Sequence, residues 1–261
     1  MEKRIISSPE NERIKLMRAL FKSKKSRDEL GLFAIEGVRL CEEALAAGWL
    51  PQLTIFSSEL SERGRLLLKI PLAAGQQVVE TSPTLLSKAA ETQTPQGILM
   101  AFARREIPIH PNPDFVLVLD RLSDPGNLGT LLRGARAFGV QVVLISPECA
   151  DAWSPKTLRA GMGAHFHVCI KHLTQEEIIA WCSKFKLRLL LADMHGILCW
   201  NADLKSPLAF VIGGEAEGAG KHLRAAADDT IAIPMPAGSE SLNAAAAGSI
   251  LLYETARQRA L

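Results

Sequence analysis

The feature that most constrains this chain is a succession of short apolar runs alternating with helical patterns from residue 115 onward. FVLVLD, VQVVLI, FHVCI, LRLLLAD, LAFVIGG and TIAIPM are short and mostly apolar. Stretches of helical period, among them NLGTLLRGARAFG, SPKTLRAGMGA, TQEEIIAWCSKF and LNAAAAGSILLYETARQR, separate them. A strand that is apolar at every position needs cover on both faces, so the pattern predicts an α/β domain with a parallel sheet between helical layers. Ligands of such sheets bind beyond the carboxyl ends of the strands. The segments after FVLVLD, LAFVI and TIAIPM are therefore the first places to look.

All three are unusual. After FVLVLD, Arg121-Leu-Ser-Asp-Pro-Gly-Asn-Leu-Gly reads as a tight turn into a helix, with Asn127 as N-cap and Arg133 two turns inside. Gly213-Gly214-Glu215-Ala216-Glu217-Gly218 follows LAFVI and puts two carboxylates in a loop whose glycines let backbone approach a ligand. After TIAIPM, Pro236–Asn243 leads into a helix rich in small residues, for which Ser241 is the expected N-cap. Each segment taken alone is equally an ordinary turn or cap.

The chain divides near Arg104–Pro113 (RREIPIHPNP), where three prolines interrupt regular segments. The expected organisation is a small α/β domain over residues 1–105, a linker over 106–114 and the parallel-sheet domain over 115–261. Charge is uneven between these parts. Residues 1–30 hold nine Lys/Arg against five Asp/Glu, a net +4, whereas the whole chain is only +2 and the remainder therefore −2. Pro9 after Ser8 predicts a helix over about 9–25 with Ser8 as its cap, and the three- and four-residue spacing puts Lys15, Arg18, Lys22 and Lys25 on one face. Such a stripe grips phosphates or simply stays solvated, and the pattern alone leaves both open.

Several chemistries are excluded. No GxGxxG follows a strand, and neither GxxxxGK[ST] nor HExxH occurs, which removes the usual dinucleotide and phosphate cradles and the zincin helix. His165, His167 and Cys169 alternate along an expected strand and would share a face, but no fourth metal ligand is apparent. Asp193, His195 and Gly196 form no recognisable constellation. Five cysteines without a CxxC pair read as buried thiols of a reducing compartment, and no apolar run is long enough to span a membrane, so a cytoplasmic, membrane-free protein is expected.

Taken in order, the three loops resemble the three signature motifs of the SpoU/TrmH family of RNA ribose 2'-O-methyltransferases, of the SPOUT superfamily. The carrying segments are DPGNLGTLLRGARAFG (Asp124–Gly139), FVIGGEAEG (Phe210–Gly218) and IPMPAGSESLNAAAAGSILLYE (Ile233–Glu254). SPKTLRAGMGAHF is similar to an intervening segment of the family, and ENERIKLMRALFKSKKSRDELGLFAIEGVRLCEEAL and TQTPQGI to the RNA-binding domain that some members carry. The resemblance implies a knotted catalytic domain, S-adenosylmethionine as cofactor, no metal, and a homodimer built around the knot. Ribosomal RNA is the first expected substrate and transfer RNA the second. Matched position by position, it implies cofactor contacts at Gly213, Gly214, Ile233, Met235 and Leu242. Catalytic or substrate-positioning places fall at Asn127, Arg133, Glu215, Ser241 and Asn243. Two departures stand out: Gly214 replaces a commoner polar residue, and Ala244-Ala245-Ala246 replace branched or hydroxyl residues.

A sulfonium methyl donor is already electrophilic, which leaves alignment and the departing proton to the protein. An arginine stays protonated, so Arg133 is expected to bind phosphate or the developing alkoxide, with base catalysis by Arg133 as the rival. A noncatalytic RNA-binding factor with the same fold is the competing reading from another class.

Overall fold

The computed structural model describes residues 5–215, 217–236 and 241–260. The chain forms two compact units, the first containing the residues up to Arg105 together with Trp153–Arg159, the second Glu106–Ala152 and Ala160–Leu261.

In the first unit, β1 (Ile5–Ile6), β2 (Leu32–Glu36), β3 (Leu53–Ser57), β4 (Gln77–Thr81) and β5 (Ile98–Ala103) form one mixed sheet in the order β1-β4-β3-β5-β2. Its helices are α1 (Glu12–Lys22), α2 (Lys24–Leu30), α3 (Val38–Ala46), α4 (Glu62–Leu67), α5 (Lys69–Ala73) and α6 (Pro83–Ala89). Ile14, Met17, Leu20 and Phe21 of α1 are buried against Ile55, Leu99 and Ala101 of the sheet.

The single helix expected over 9–25 is in fact two. Asn11, not Ser8, caps α1 by accepting from the Arg13 amide at 3.0 Å. Ser23 is extended; its amide closes α1 on the Ala19 carbonyl, and its hydroxyl opens α2 by accepting from Ser26 at 3.1 Å. The end of α1 is sealed by buried Arg27, whose guanidinium donates to the Leu20 carbonyl at 2.6 Å. Lys25 therefore stands on a different helix from Lys15, Arg18 and Lys22, and the four cations do not form one helical stripe.

Trp153–Arg159, expected within the parallel-sheet domain, packs with the first unit. The Trp153 ring lies 4.7 Å from that of Phe33, which also meets Phe102 at 5.7 Å and Trp49 at 5.9 Å. Arg105 stacks over Trp49 at 4.3 Å.

The second unit carries the all-parallel sheet that the apolar runs predict. Its strands are β6 (Phe115–Leu119), β7 (Val142–Ile145), β8 (Cys169–His172), β9 (Arg188–Leu198), β10 (Leu208–Ile212) and β11 (Asp229–Ala232), ordered β11-β9-β10-β6-β7-β8. Its helices are α7 (Pro125–Ala137), α8 (Pro155–Gly161, whose first turns group with the first unit), α9 (Gln175–Lys184), α10 (Lys221–Ala226) and α11 (Ala244–Arg259). Every residue of β6, β7 and β10 is buried. The alanine-rich α11 lies close on α7: a Cβ on Gly248 would come within 2.3 Å of the Leu131 side chain. Among the described residues no helix is long and apolar enough to cross a membrane.

The strand expected at FHVCI begins only at Cys169, because Ala164–Phe166 turn as a single 3-10 helix. His165 and His167 consequently do not alternate with Cys169 on a sheet face. His165 is buried, with Nε2 2.8 Å from the Ala152 carbonyl; a carbonyl only accepts, so Nε2 carries the proton. Burial pushes its pKa down from 6.5 to about 4, outweighing that hydrogen bond. The fold thus favours neutral His165, and the stability this contributes is complete above pH 6.5 and withdrawn as pH falls toward 4. Chemical denaturation of wild type and His165→Gln across that window should show wild type losing up to about 3 kcal/mol relative to the variant. Parallel profiles would show that His165 does not resist protonation.

Candidate active site

Strand register brings the loops together. Leu119 of β6 is level with Ile212 of β10, and the amide of Asp120, the next residue, donates to the Ile212 carbonyl at 3.0 Å. The first and second loops therefore leave the sheet side by side. β11 ends beside the far end of β9, with Ala232 opposite Leu198, and delivers Ile233 to the same edge.

The three loops surround a cavity of about 460 Å³, within the usual range for small-molecule sites. Gly213, Gly214 and Glu215 line it, as do Ile233, Met235, Ser241, Leu242 and Asn243. Thus every residue expected at the cofactor, and three of the five expected catalytic places, border one space. Ile231, Ile233, Met235, Leu242 and Leu251 supply apolar wall, which suits a flat heteroaromatic ring, while the loop backbone supplies polar groups beside it. Residues 237–240 of the third motif lie outside the described residues.

Asn127 does not line the cavity but joins its rim. Its side-chain amide donates to Glu215 and its carbonyl accepts from Asn243 Nδ2 at 3.0 Å, so one residue from each motif meets in a chain of hydrogen bonds. Two expected caps are displaced. Asp124, not Asn127, caps α7 by accepting from the Asn127 amide at 2.8 Å, and this frees the Asn127 side chain for the rim. Asn243, not Ser241, caps α11, accepting from Ala245 at 2.9 Å and Ala246 at 3.2 Å. Arg133 is exposed on α7, outside the cavity lining, and makes no hydrogen bond or ion pair among the described residues.

Gly213 is needed for a different reason from the expected one. A Cβ there would lie 2.2 Å from the Ala219 amide nitrogen, in the backbone of its own loop, rather than in ligand space. The loop folds back on itself, with the Gly218 amide donating to the Gly214 carbonyl at 2.9 Å.

Asp193, for which the sequence offered no constellation, pairs with Arg224 at 3.0 Å to form a charged part of the wall. Burial works to raise the Asp193 carboxyl, but the His195 amide and Arg224 outweigh it and hold the carboxyl below its usual pKa. Asp120 was also missed. Wholly buried, it accepts from Gln175 Nε2 at 3.1 Å and from the Gly220 amide at 2.7 Å, tying the end of β6 to the far end of the glycine loop. Only its position directly after an apolar strand signalled it.

A parallel α/β domain with a nucleoside-sized, glycine-bordered cavity beyond the carboxyl ends of its strands is a ligand-binding enzyme scaffold. Residues 114–253 match the SpoU rRNA Methylase family and residues 11–100 the MRM3-like substrate binding domain. The chain belongs to the SpoU rRNA methylase family. It is 30% identical to the 23S rRNA (guanosine(2553)-2'-O)-methyltransferase RlmP of Bacillus subtilis, over 95% of this chain and 97% of that protein. It is 31% identical to the mitochondrial rRNA methyltransferase 3 of Mus musculus, covering 96% of this chain and 73% of that one. Among solved structures, the AdoMet-bound rRNA methyltransferase from Sinorhizobium meliloti superposes with a TM-score of 0.88 at 30% identity, covering 99% of both chains.

The hydrogen bonds of Asn243 predict an asymmetry within the rim. Asn243→Ala, which uncaps α11, should lower the unfolding free energy by about 1–2 kcal/mol. Asn127→Ala, which removes only exposed side-chain bonds, should cost about 0.5 kcal/mol. Urea denaturation compares the two directly, and equal losses would mean that the cap contributes nothing.

Proposed function

We propose that this protein transfers the methyl group of S-adenosylmethionine to a ribose 2'-hydroxyl of RNA, with ribosomal RNA as substrate and transfer RNA as second candidate. The observation that carries this reading is the meeting of Asn127, Glu215 and Asn243, one from each motif, at the rim of the glycine-bordered cavity. Membership of the SpoU rRNA methylase family and the names of the relatives support it. A noncatalytic RNA-binding factor would have no use for this rim.

Bound S-adenosylmethionine supplies a methyl group already activated by its sulfonium. Ile233, Met235 and Leu242 would cover its adenine and exclude water, and the backbone at Gly213 and Gly214 would supply hydrogen-bonding groups. Asn127, Glu215 and Asn243, which meet at the rim, and Ser241 on the wall would orient the ribose 2'-hydroxyl toward the methyl group, the thioether leaving with the bonding pair and the hydroxyl proton released to water. Arg133, exposed and free of partners among the described residues, engages the RNA phosphate or the developing alkoxide.

We assign RNA holding to residues 1–105, linkage to 106–114 and cofactor binding with catalysis to 115–261. We infer a homodimer through the second unit, a reading supported by exposed Ile250 and Tyr253 on α11, the Tyr253 ring meeting Phe138 at 6.0 Å. A trefoil knot is carried over from the family resemblance, and the return of α11 from the β11 edge onto α7 fits it.

Arg133→Lys should remove most single-turnover methyl transfer at saturating RNA while leaving S-adenosylmethionine binding by calorimetry within twofold of wild type. Lysine keeps the charge but loses the planar fork. Wild-type turnover in the variant would refute the role of Arg133.

Ion pairing narrows the expected RNA face. Lys15 pairs with Glu10 at 2.9 Å and Lys25 with Glu29 at 3.7 Å, whereas Arg18 and Lys22 on α1 have no ion pair among the described residues. Replacing Arg18 and Lys22 by Gln should reduce the salt slope of RNA binding by roughly 1.4 log units per log unit of salt, at ~0.7 per phosphate contact. Identical slopes would place the RNA elsewhere.

A further inference from the structure

Arg121 is one of three non-glycine residues with positive φ among the described residues, at 59°. Backbone strain of this kind persists only where its surroundings over-determine it. Here they do. Arg121 directly follows Asp120 at the end of β6; its amide donates to Ser146 Oγ at 3.2 Å, and its carbonyl is turned toward the glycine loop. A Cβ on Gly214 would lie 2.3 Å from that carbonyl oxygen, so the loop reaches this position only with glycine there. The departure from the family pattern at Gly214 is what the contact requires. The Arg121 side chain completes the arrangement: Nε donates to Glu148 at 2.7 Å, and Nη2 is 2.7 Å from Glu217, which lines the cavity.

The glycine loop is thus held by the two residues that follow β6. Asp120 takes the Gly220 amide at the loop's exit, while Arg121 takes Glu217 by its guanidinium and abuts Gly214 by its carbonyl. Glu215, between those last two points, projects to Asn127 at the rim.

We propose that Arg121 is a positioning residue for methyl transfer: its left-handed backbone and its ion pair with Glu217 set the glycine loop in the conformation that receives the cofactor. The inference rests on the reading of the cavity as the S-adenosylmethionine site. Arg121 touches neither cofactor nor ribose, so its loss acts on cofactor affinity rather than on the chemical step. A purely structural role predicts that Arg121→Gly lowers the melting temperature; under the positioning role the fold is not destabilised, because glycine takes a φ of 59° without strain.

The test compares wild type, Arg121→Gly, Glu217→Gln and the double variant. Melting temperature, amide hydrogen exchange over residues 213–220 without cofactor, calorimetric affinity for S-adenosylmethionine, and KM against kcat are measured for each. Arg121→Gly should melt at the wild-type temperature or above it, exchange faster in the loop, and bind cofactor five- to tenfold more weakly. KM for the cofactor should rise with kcat held within twofold. Glu217→Gln should show the same affinity loss, with no further loss in the double variant. Wild-type exchange and affinity in Arg121→Gly would overturn the proposal. So would a fall in RNA affinity with cofactor binding unchanged, which would make Arg121 an RNA contact. If wild type itself failed to bind S-adenosylmethionine while the exchange difference persisted, the cofactor reading would fall and the positioning of the loop by Arg121 would stand.

Discussion

The pairing of β6 with β10 is the constraint on which the rest of the second unit depends. These strands are distant in sequence, and their register, Phe115 opposite Leu208 through Leu119 opposite Ile212, sets the level at which two loops leave the sheet. A slip by one residue would turn the apolar side chains to the opposite face and would part Asp120 from the glycine loop. Because both strands are buried on both faces, the register is fixed by packing from above and below. The site inherits its precision from a dry sheet rather than from the loops themselves.

The polar parts of the site follow a common rule: each loop is tied to an element from elsewhere in the chain. Asp124 takes over the cap of α7, and Asn127 can then reach across to Glu215 and Asn243. Asn243 divides its own groups, using its oxygen for α11 and its nitrogen for the rim. Helix ends, which must be satisfied in any case, thereby become the means of placing functional amides.

The sheet was legible in the sequence because burial on both faces leaves a local mark, an apolar residue at each position. The loops were legible too, since glycines and capping residues cluster where strands end. Which candidate performs the capping was not, because Asp124 and Asn127 are both good caps and the choice rests on partners 88 and 116 residues away. The break at Ser23 was hidden for a similar reason. Helical period runs through it, while the Ser23 hydroxyl caps α2 and Arg27 reaches back to the Leu20 carbonyl at the end of α1. The strand expected at FHVCI was lost to a local turn that buries His165, an energy that periodicity does not register. Arg121 stood at the start of a segment legible as a tight turn, but its left-handed backbone was not, since arginine has no sequence signature for that conformation.

The placement of Trp153 bears on how such a protein can be divided. Phe33 lies against Trp153 as well as Phe102 and Trp49, and Trp153 arrives from a point about fifty residues beyond the end of the first unit's continuous stretch. A gene fragment ending at Arg105 would encode the whole five-stranded sheet yet omit one of its aromatic covers, leaving an oily face in water. Excised modules of this kind would be prone to self-association, and recombination that exchanged residues 1–105 alone would bring in a mismatched ring. The two parts are therefore expected to be inherited together, as a matter of solubility rather than of catalysis.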